Sequence, residues 1–343
     1  MVNGIDADVN IRSALQLKLA KCRGAYLDVF PKRCWKWWAQ KKEDGNRESL
    51  QFGMTRNWLV GRNRKDQLKG VDVAGDFMVH DYVGWVNKLI VPELAGTLLD
   101  GELFWPGHSA PEIATAIAEG KTNELSFAVF DCMFYEGVDV RGDTVLEDRL
   151  RLACHAVNAA GSDKIFMVEL FKRITPEEVE KLFTEKEWEG LVFKKPGTYY
   201  DQQSPDCWQK LKSEKPIDVF VVGVKEGKAG GSPKNGIKPQ LNGKAATFNV
   251  GMWDGKKMRL VGVMSHLADE DVEKGVKEFS TYRFQVAEAT ASGWDGRRFR
   301  SIRFKRWRVG DKTARDCRFE EQMGGAKREE KGTMVPDRVS ATS

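Results

Sequence analysis

Lys42 stands two residues before Asp44-Gly45, and that spacing is the first hint of chemistry in the chain. A lysine is an amine nucleophile only after losing a proton, and its ordinary pKa of about 10.4 keeps it charged in water. A pocket that gathered Arg47, Lys210, Lys212 and a bound metal around it would bring that value down. Glu102, in Asp100-Gly101-Glu102, and Glu189, in Glu189-Gly190, are carboxylates suited to hydroxyl groups or to magnesium, which prefers oxygen ligands. In Trp208-Gln209-Lys210-Leu211-Lys212 two lysines alternate, so on a strand both ammoniums face one side. Phe130 adds a flat apolar ring. An amine, carboxylates and paired ammoniums are the parts of phosphoryl transfer, which needs positioning and charge neutralisation more than covalent help.

Each part alone has a plainer meaning. Lys-x-Asp-Gly arises by chance in roughly one chain in ten of this length and reads as a charged hairpin turn. Glu102 or Glu189 alone is a surface carboxylate, and Phe130, inside an apolar run, is more often core. Arg308-Val309-Gly310-Asp311-Lys312 alone is a solvated turn.

The elements that must position these residues follow from the apolar pattern. Residues 1 to about 30 read as a loosely periodic helical segment, and the alternation Trp35, Trp37, Trp38 as a strand entering the Asp44-Gly45 turn. Strand-like runs follow at Leu50–Phe52, Trp58–Val60, Leu98–Phe104, Phe127–Phe134, Trp188–Phe193 and Trp208–Leu211. Helices are expected after the capping patterns at Ser109 and Thr175, the second ending near Glu187, and over residues 145–159. Lys212-Ser213-Glu214-Lys215-Pro216 is a polar hinge candidate. Beyond it, five strand-like runs (Val219–Val224, Ala246–Val250, Met258–Val263, Phe284–Ala289, Ile302–Val309) and one helix near Asp269–Phe279 have the content of an OB-type barrel. The fold class is therefore α+β, with a first domain over residues 1–215, an OB-fold barrel over 216–317, and a tail at 318–343 that lacks any apolar period and reads as disordered.

Taken in order, Lys42–Arg47, Leu99–Leu103, Phe127–Asp131, Glu189–Lys194, Trp208–Lys212 and Arg308–Lys312 resemble the motifs of the covalent nucleotidyltransferases, and among them the ATP-dependent DNA ligases. The resemblance runs from about residue 35 to 317 and is specific as a set. It implies a nucleotidyltransferase (adenylation) domain followed by an OB-fold domain. Lys42 would take AMP from ATP, with magnesium (or manganese) present, and pass it to the 5′-phosphate of a nick in double-stranded DNA. Arg47 would contact the nucleotide, Glu102 the ribose and metal, Glu189 the metal, and Lys210 and Lys212 the α-phosphate. Phe130 would stack on the base, preferred because the family's aromatic immediately precedes the Asp; Phe127 is the alternative. Arg308, Asp311 and Lys312 would orient the pyrophosphate, and the two domains would swing about Lys212–Pro216 between steps. Arg62, in a short local match, resembles the arginine that grips the nick phosphate; a plain surface arginine is its equal rival. Two positions depart from the family. Glu43 replaces a hydrophobic residue and is expected to point away from the pocket. Gln40 replaces the glutamate that accepts a hydrogen bond from the adenine amino group; an amide accepts the same bond but can also donate.

Composition agrees and excludes. The net charge is +5, and nine basic residues lie between Arg297 and Arg315 against Asp311 alone, with Phe299, Phe304 and Trp307 interleaved. Arg303, Lys305 and Arg306 are the candidates for DNA backbone contact, without base readout and weakening with salt. Six scattered cysteines without a Cys-x-x-Cys pair, and four histidines, argue against zinc and against a NAD-dependent ligase. No apolar run suits a bilayer and no secretory signal opens the chain, so a cytoplasmic monomer of the compact viral or bacterial type is expected, with no membrane partner. The alternatives are a GTP-dependent mRNA capping enzyme, which tends to carry Asp-Gly where this chain has Glu189-Gly190, and an RNA ligase, which usually lacks an OB domain ending in Arg-x-x-Asp-Lys. A decayed nucleic-acid-binding protein would lack a motif lysine or carboxylate.

Overall fold

The computed structural model describes residues 23–25, 27, 30–61, 83–108, 110–186, 188–200, 206–227 and 244–322. The chain divides into two compact units, Met1–Ser213 and Glu214–Ser343.

The first unit is built on two sheets. Its strands are Arg23–Ala25 (β1), Trp38–Lys41 (β2), Gly45–Gln51 (β3), Trp58–Gly61 (β4), Leu98–Phe104 (β5), Ser126–Tyr135 (β6), Val138–Asp139 (β7), Ile165–Met167 (β8), Leu170–Phe171 (β9), Gly190–Lys194 (β10) and Trp208–Lys212 (β11). One sheet has the order β1-β11-β10-β2-β9, and the other runs β4-β3-β5-β6-β7 with β8 beside β6. The chain leaves the first sheet after Lys41 and enters the second at Gly45, so Lys42–Asp44 is the strap between them.

Alternation decides which side chains face where. In the first sheet Ala39, Leu191, Phe193 and Leu211 are buried with Trp37, Phe30 and Val179 in one core. The register sets Val192 opposite both Gln40 and Lys210, and Lys194 opposite Trp208, on the other face. The second sheet carries a larger core around Leu50, Leu99, Leu103, Phe127 and Val129. Helices at Gly84–Lys88 (α1), Ala110–Ala118 (α2), Leu146–Ala160 (α3) and Pro176–Glu185 (α4) complete the unit. Helix α3 ends on Gly161 at φ 57°, a left-handed cap that glycine adopts without strain. Helix α4 starts with the expected capping box, Thr175 and Glu178 exchanging hydrogen bonds with each other's backbone.

Two sequence expectations fail here. Within the N-terminal segment Arg23–Ala25 is strand, β1 running parallel to β11, Leu27 and Phe30 belong to no α-helix, and the other residues of the expected helix lie outside the described residues. Residues Lys32–Lys36 form a 3-10 turn rather than a strand. The turn lets Trp35 pack edge-on against Phe30 and Phe193, at ring-centroid distances of 5.1 and 5.5 Å. The capping serine expected for α2, Ser109, lies outside the described residues.

The second unit contains Lys215–Glu226 (β12), Ala245–Asp254 (β13), Lys257–Ser265 (β14), Val286–Ala291 (β15) and Ile302–Trp307 (β16). Their pairings run β12-β13-β14-β16-β15 and return to β12, a closed ring. Inward-facing residues such as Val219, Val221, Phe248, Val250 and Ile302 fill it. Asp269–Lys274 (α5) and Phe279–Tyr282 (α6) take the place of the single expected helix. The expected disordered tail begins too early, because Phe319–Gln322 forms a helical turn (α7). Phe319 packs 4.9 Å from the Trp294 ring and beneath the Arg259 guanidinium at 4.4 Å, which anchors that turn.

Candidate active site

Where the two sheets of the first unit meet, a cleft of about 330 Å³ opens. Gln40, Lys42, Arg47, Glu102, Phe130, Glu189, Lys210 and Lys212 all line it. They come from both sheets and from the strap. Lys42 is placed by its backbone N–H, which donates to Gly190 O at 3.0 Å, and this draws the strap against β10. On the other side of β10, Ser213 N donates to Glu189 O at 2.9 Å. Gly190 permits this crowding: a Cβ there would lie 2.3 Å from Leu211 O and 3.2 Å from Lys212 Cα.

The Lys42 ammonium forms an ion pair with Glu189 and donates to Glu43 O at 3.3 Å. Burial pushes the Glu102 carboxyl up to about 7, with Glu189 adding to the rise and Lys42, Arg47 and Lys210 opposing it. Arg47 is not left to reach freely. Its guanidinium grips Asp100 in a two-point pair, Nε to Oδ1 at 3.1 Å and Nη2 to Oδ2, and lies 5.1 Å from the Phe130 ring centroid. Gln40 is 1% exposed; its Nε2 donates to Phe130 O at 3.2 Å, and its Oε1 has no protein partner. Glu43 does not point away as expected. It lines the cleft, its burial offset by an ion pair with Lys41 at 2.8 Å.

Behind Phe130 lies a buried charge cluster that sequence reasoning missed. Asp131 is fully buried and accepts from Arg149 Nε at 2.9 Å, Lys194 Nζ at 3.3 Å and Cys132 N at 2.9 Å. Burial alone would raise the Asp131 carboxyl, but Lys194 and Arg149 outweigh it and hold it below the usual range. For Lys194 burial dominates and lowers the ammonium to about 8, against the pull of Asp131 and Asp100. Lys194 Nζ also sits 3.9 Å from the Trp208 ring centroid and hydrogen-bonds Phe130 O, so it braces the strand that carries the ring. Alternation along β10 and β11 marks Lys194 and Trp208 as cleft residues beside Val192 and Lys210. Alternation along β5 likewise sets Asp100 on the face of Glu102; Arg149, on a helix, carries no such signal.

Arg62 lies outside the described residues. The remaining candidates belong to the second unit. Arg308 and Lys312 both pair with Asp218. Arg303 is half-buried and pairs with Glu214 at 3.1 Å, Lys305 is half-buried, and Arg306 is exposed and pairs with Glu288 at 2.8 Å. The basic strand is thus partly neutralised by its own neighbours.

Among the described residues no group of three or more His, Cys, Asp or Glu is placed to hold a metal ion. None of the described helices is long and apolar enough to cross a membrane.

The family described as ATP dependent DNA ligase domain matches residues 19–212. No curated protein matches the chain. A solved structure named Pmar-Lig_Pre aligns at 19% identity with a TM-score of 0.59, over 80% of this chain and 63% of its own, so this chain spans less than two thirds of it. A second, described as "DNA binding with a minimal scaffold: Structure-function analysis of Lig E DNA ligases", aligns at 15% identity with a TM-score of 0.57, over 85% of this chain and 99% of its own. At these identities the likeness is one of fold alone, a mixed helix-and-sheet fold. Since the family match takes in more than half of its residues, the chain belongs to the ATP-dependent DNA ligase family.

Proposed function

We propose that this ligase seals nicks in duplex DNA with Lys42 as its nucleophile. The observation that carries the reading is the convergence of Lys42, Glu102, Glu189, Lys210 and Lys212 on one cleft, from segments up to 170 residues apart in sequence. In the first step Lys42 Nζ, having lost its proton, attacks the α-phosphorus of ATP. A P–N bond forms, the bond to the bridging oxygen breaks, and pyrophosphate leaves. Lys210 and Lys212 face the α-phosphate and take up its charge. The AMP then passes to the 5′-phosphate of the nick, and the 3′-hydroxyl displaces it to close the phosphodiester.

Glu102 and Glu189 are the carboxylates that would hold magnesium, or manganese in its place. Two protein carboxylates with water and phosphate oxygens fit a cation that retains much of its hydration. A metal bound there would neutralise polyphosphate charge; the residues themselves fix where the phosphates lie. Phe130 provides the face for the base. The unpartnered, buried Oε1 of Gln40 is an acceptor suited to the amino group of adenine, whereas guanine would present an oxygen to it. This favours ATP over GTP, and with it ligation over capping. The second unit is read as an OB-type barrel in a monomeric enzyme. Its Arg308 and Lys312 would meet the pyrophosphate, with Asp311 orienting Arg308, and its Arg303, Lys305 and Arg306 would meet DNA phosphates.

The test is incubation with α-labelled ATP, GTP or NAD and magnesium, followed by a denaturing gel, for wild type and Lys42→Ala. Label from ATP alone, absent in the variant, is expected. Label retained in Lys42→Ala would refute the assignment of the nucleophile.

A further inference from the structure

The two cations at the end of the basic strand do not stand open. Arg308 Nε donates to Asp218 Oδ1 at 3.1 Å, and Lys312 Nζ donates to Asp218 Oδ2. A second nitrogen of Arg308, Nη1, donates to Asp311 at 2.9 Å and lies 3.4 Å from Glu288. Asp218 is no passing surface partner: it is 9% exposed, on β12. Its backbone is clasped from both sides by Gln322 of α7, which accepts from Asp218 N at 2.7 Å and donates to Asp218 O at 2.8 Å. Burial would raise this carboxyl. The hydrogen bonds from Lys312 and Arg308 outweigh burial and hold it below the usual range, so it is an anion at working pH.

The charge count decides what this cluster can do. Arg306 also pairs with Glu288, so three cations face three carboxylates and a polyphosphate approaching the cluster would meet no net positive charge. It can receive pyrophosphate only after some of these pairs open. Opening them leaves a largely buried carboxylate without its partners, which is the costly half of any such exchange.

We propose that Asp218 is a positioning residue that holds Arg308 and Lys312 in reserve, must release both before they meet the pyrophosphate of ATP, and so sets the ATP concentration that the first step requires. This rests on the assignment of those two cations to pyrophosphate. It predicts an unusual sign, in which removing a buried ionic partner improves use of a substrate.

The measurement is the rate of Lys42 labelling against ATP concentration in the full-length enzyme. For Asp218→Asn the KM for ATP is expected to fall about three- to tenfold, the net scale of a single ordinary hydrogen bond. Sealing of a nick that already carries AMP on its 5′-phosphate, a step without ATP, should be unchanged. An unchanged or higher KM overturns the proposal. Asn matches Asp in shape, and Gln322 grips only backbone, so the local fold should survive. Should Asp218→Asn not fold, Glu288→Gln, which removes one carboxylate at the edge of the cluster, must shift KM in the same direction by a smaller factor. Lys312→Gln combined with Asp218→Asn should shrink the gain; a full gain without Lys312 overturns the proposal. Wild type that takes no label from ATP would instead sink the ligase mechanism itself, so the two failures are distinguishable.

Discussion

Replacing Asp131 with asparagine removes the buried anion that Arg149 and Lys194 share and leaves the Arg149 guanidinium and the Lys194 ammonium facing an amide. Removing one partner of a buried ion pair typically costs about 3–5 kcal/mol, because the other charge remains without compensation. Arginine cannot escape by losing a proton, but lysine can. In the wild type Lys194 titrates at about 8 when folded, below its unfolded value of about 10.4. Between those values the unfolded chain binds more protons, so stability from this group rises with pH. Without Asp131 the folded value drops further and the rise begins at lower pH. The stability deficit of Asp131→Asn should therefore narrow by up to about 1.4 kcal/mol per pH unit until the pH reaches roughly 8, then level off. Lys194→Met, which leaves Asp131 and Arg149 as a one-to-one pair, should cost less, about 1–3 kcal/mol. Urea titrations read through hydrogen exchange of the β6 and β10 amides isolate the first unit. A deficit under about 1 kcal/mol, or one independent of pH below 8, would refute the view that this cluster is held by charge balance.

Two further outcomes follow from the cleft. Because Glu102 is raised to about 7, it is increasingly protonated, and no longer a charged ligand for a metal, as pH falls below that value. The kcat/KM for Lys42 labelling should climb across roughly pH 6–8, and Glu102→Gln should lose that limb; an identical profile in the variant would remove Glu102 from the chemistry. Gly190→Ala puts a Cβ 2.3 Å from Leu211 O, which must push β10 and β11 apart and displace Glu189 and Lys212. Labelling should fall by about a hundredfold, and near-wild-type rates would show that the strands yield without moving the site.

The residues that line the cleft were legible because their chemistry is local: a motif names the side chain, and the alternation of a strand gives its direction. Lys42, Glu102, Glu189, Lys210 and Lys212 needed nothing more. What holds them was not legible. Arg47 finds Asp100 from 53 positions away, and Asp218 collects Arg308 and Lys312 from 90 and 94 positions away. No period links such pairs, since the barrel and the sheets choose them by register. The 3-10 turn at Lys32–Lys36 was misread for a related reason: three tryptophans alternate like a strand, but Trp35 and Trp37 are placed by packing against Phe30 and its neighbours in the core.

The strap at Lys42–Asp44 makes the amine proposed as nucleophile common property of two sheets. A nucleotide bonded there would hang from the three residues that tie the halves of the cleft together, and each half contributes only one wall. Shifts in either sheet, from substitutions far from any phosphate, are thus delivered to the nitrogen through the same short piece of backbone. Tolerance to sequence change should accordingly be lowest not around the deepest core but along this seam.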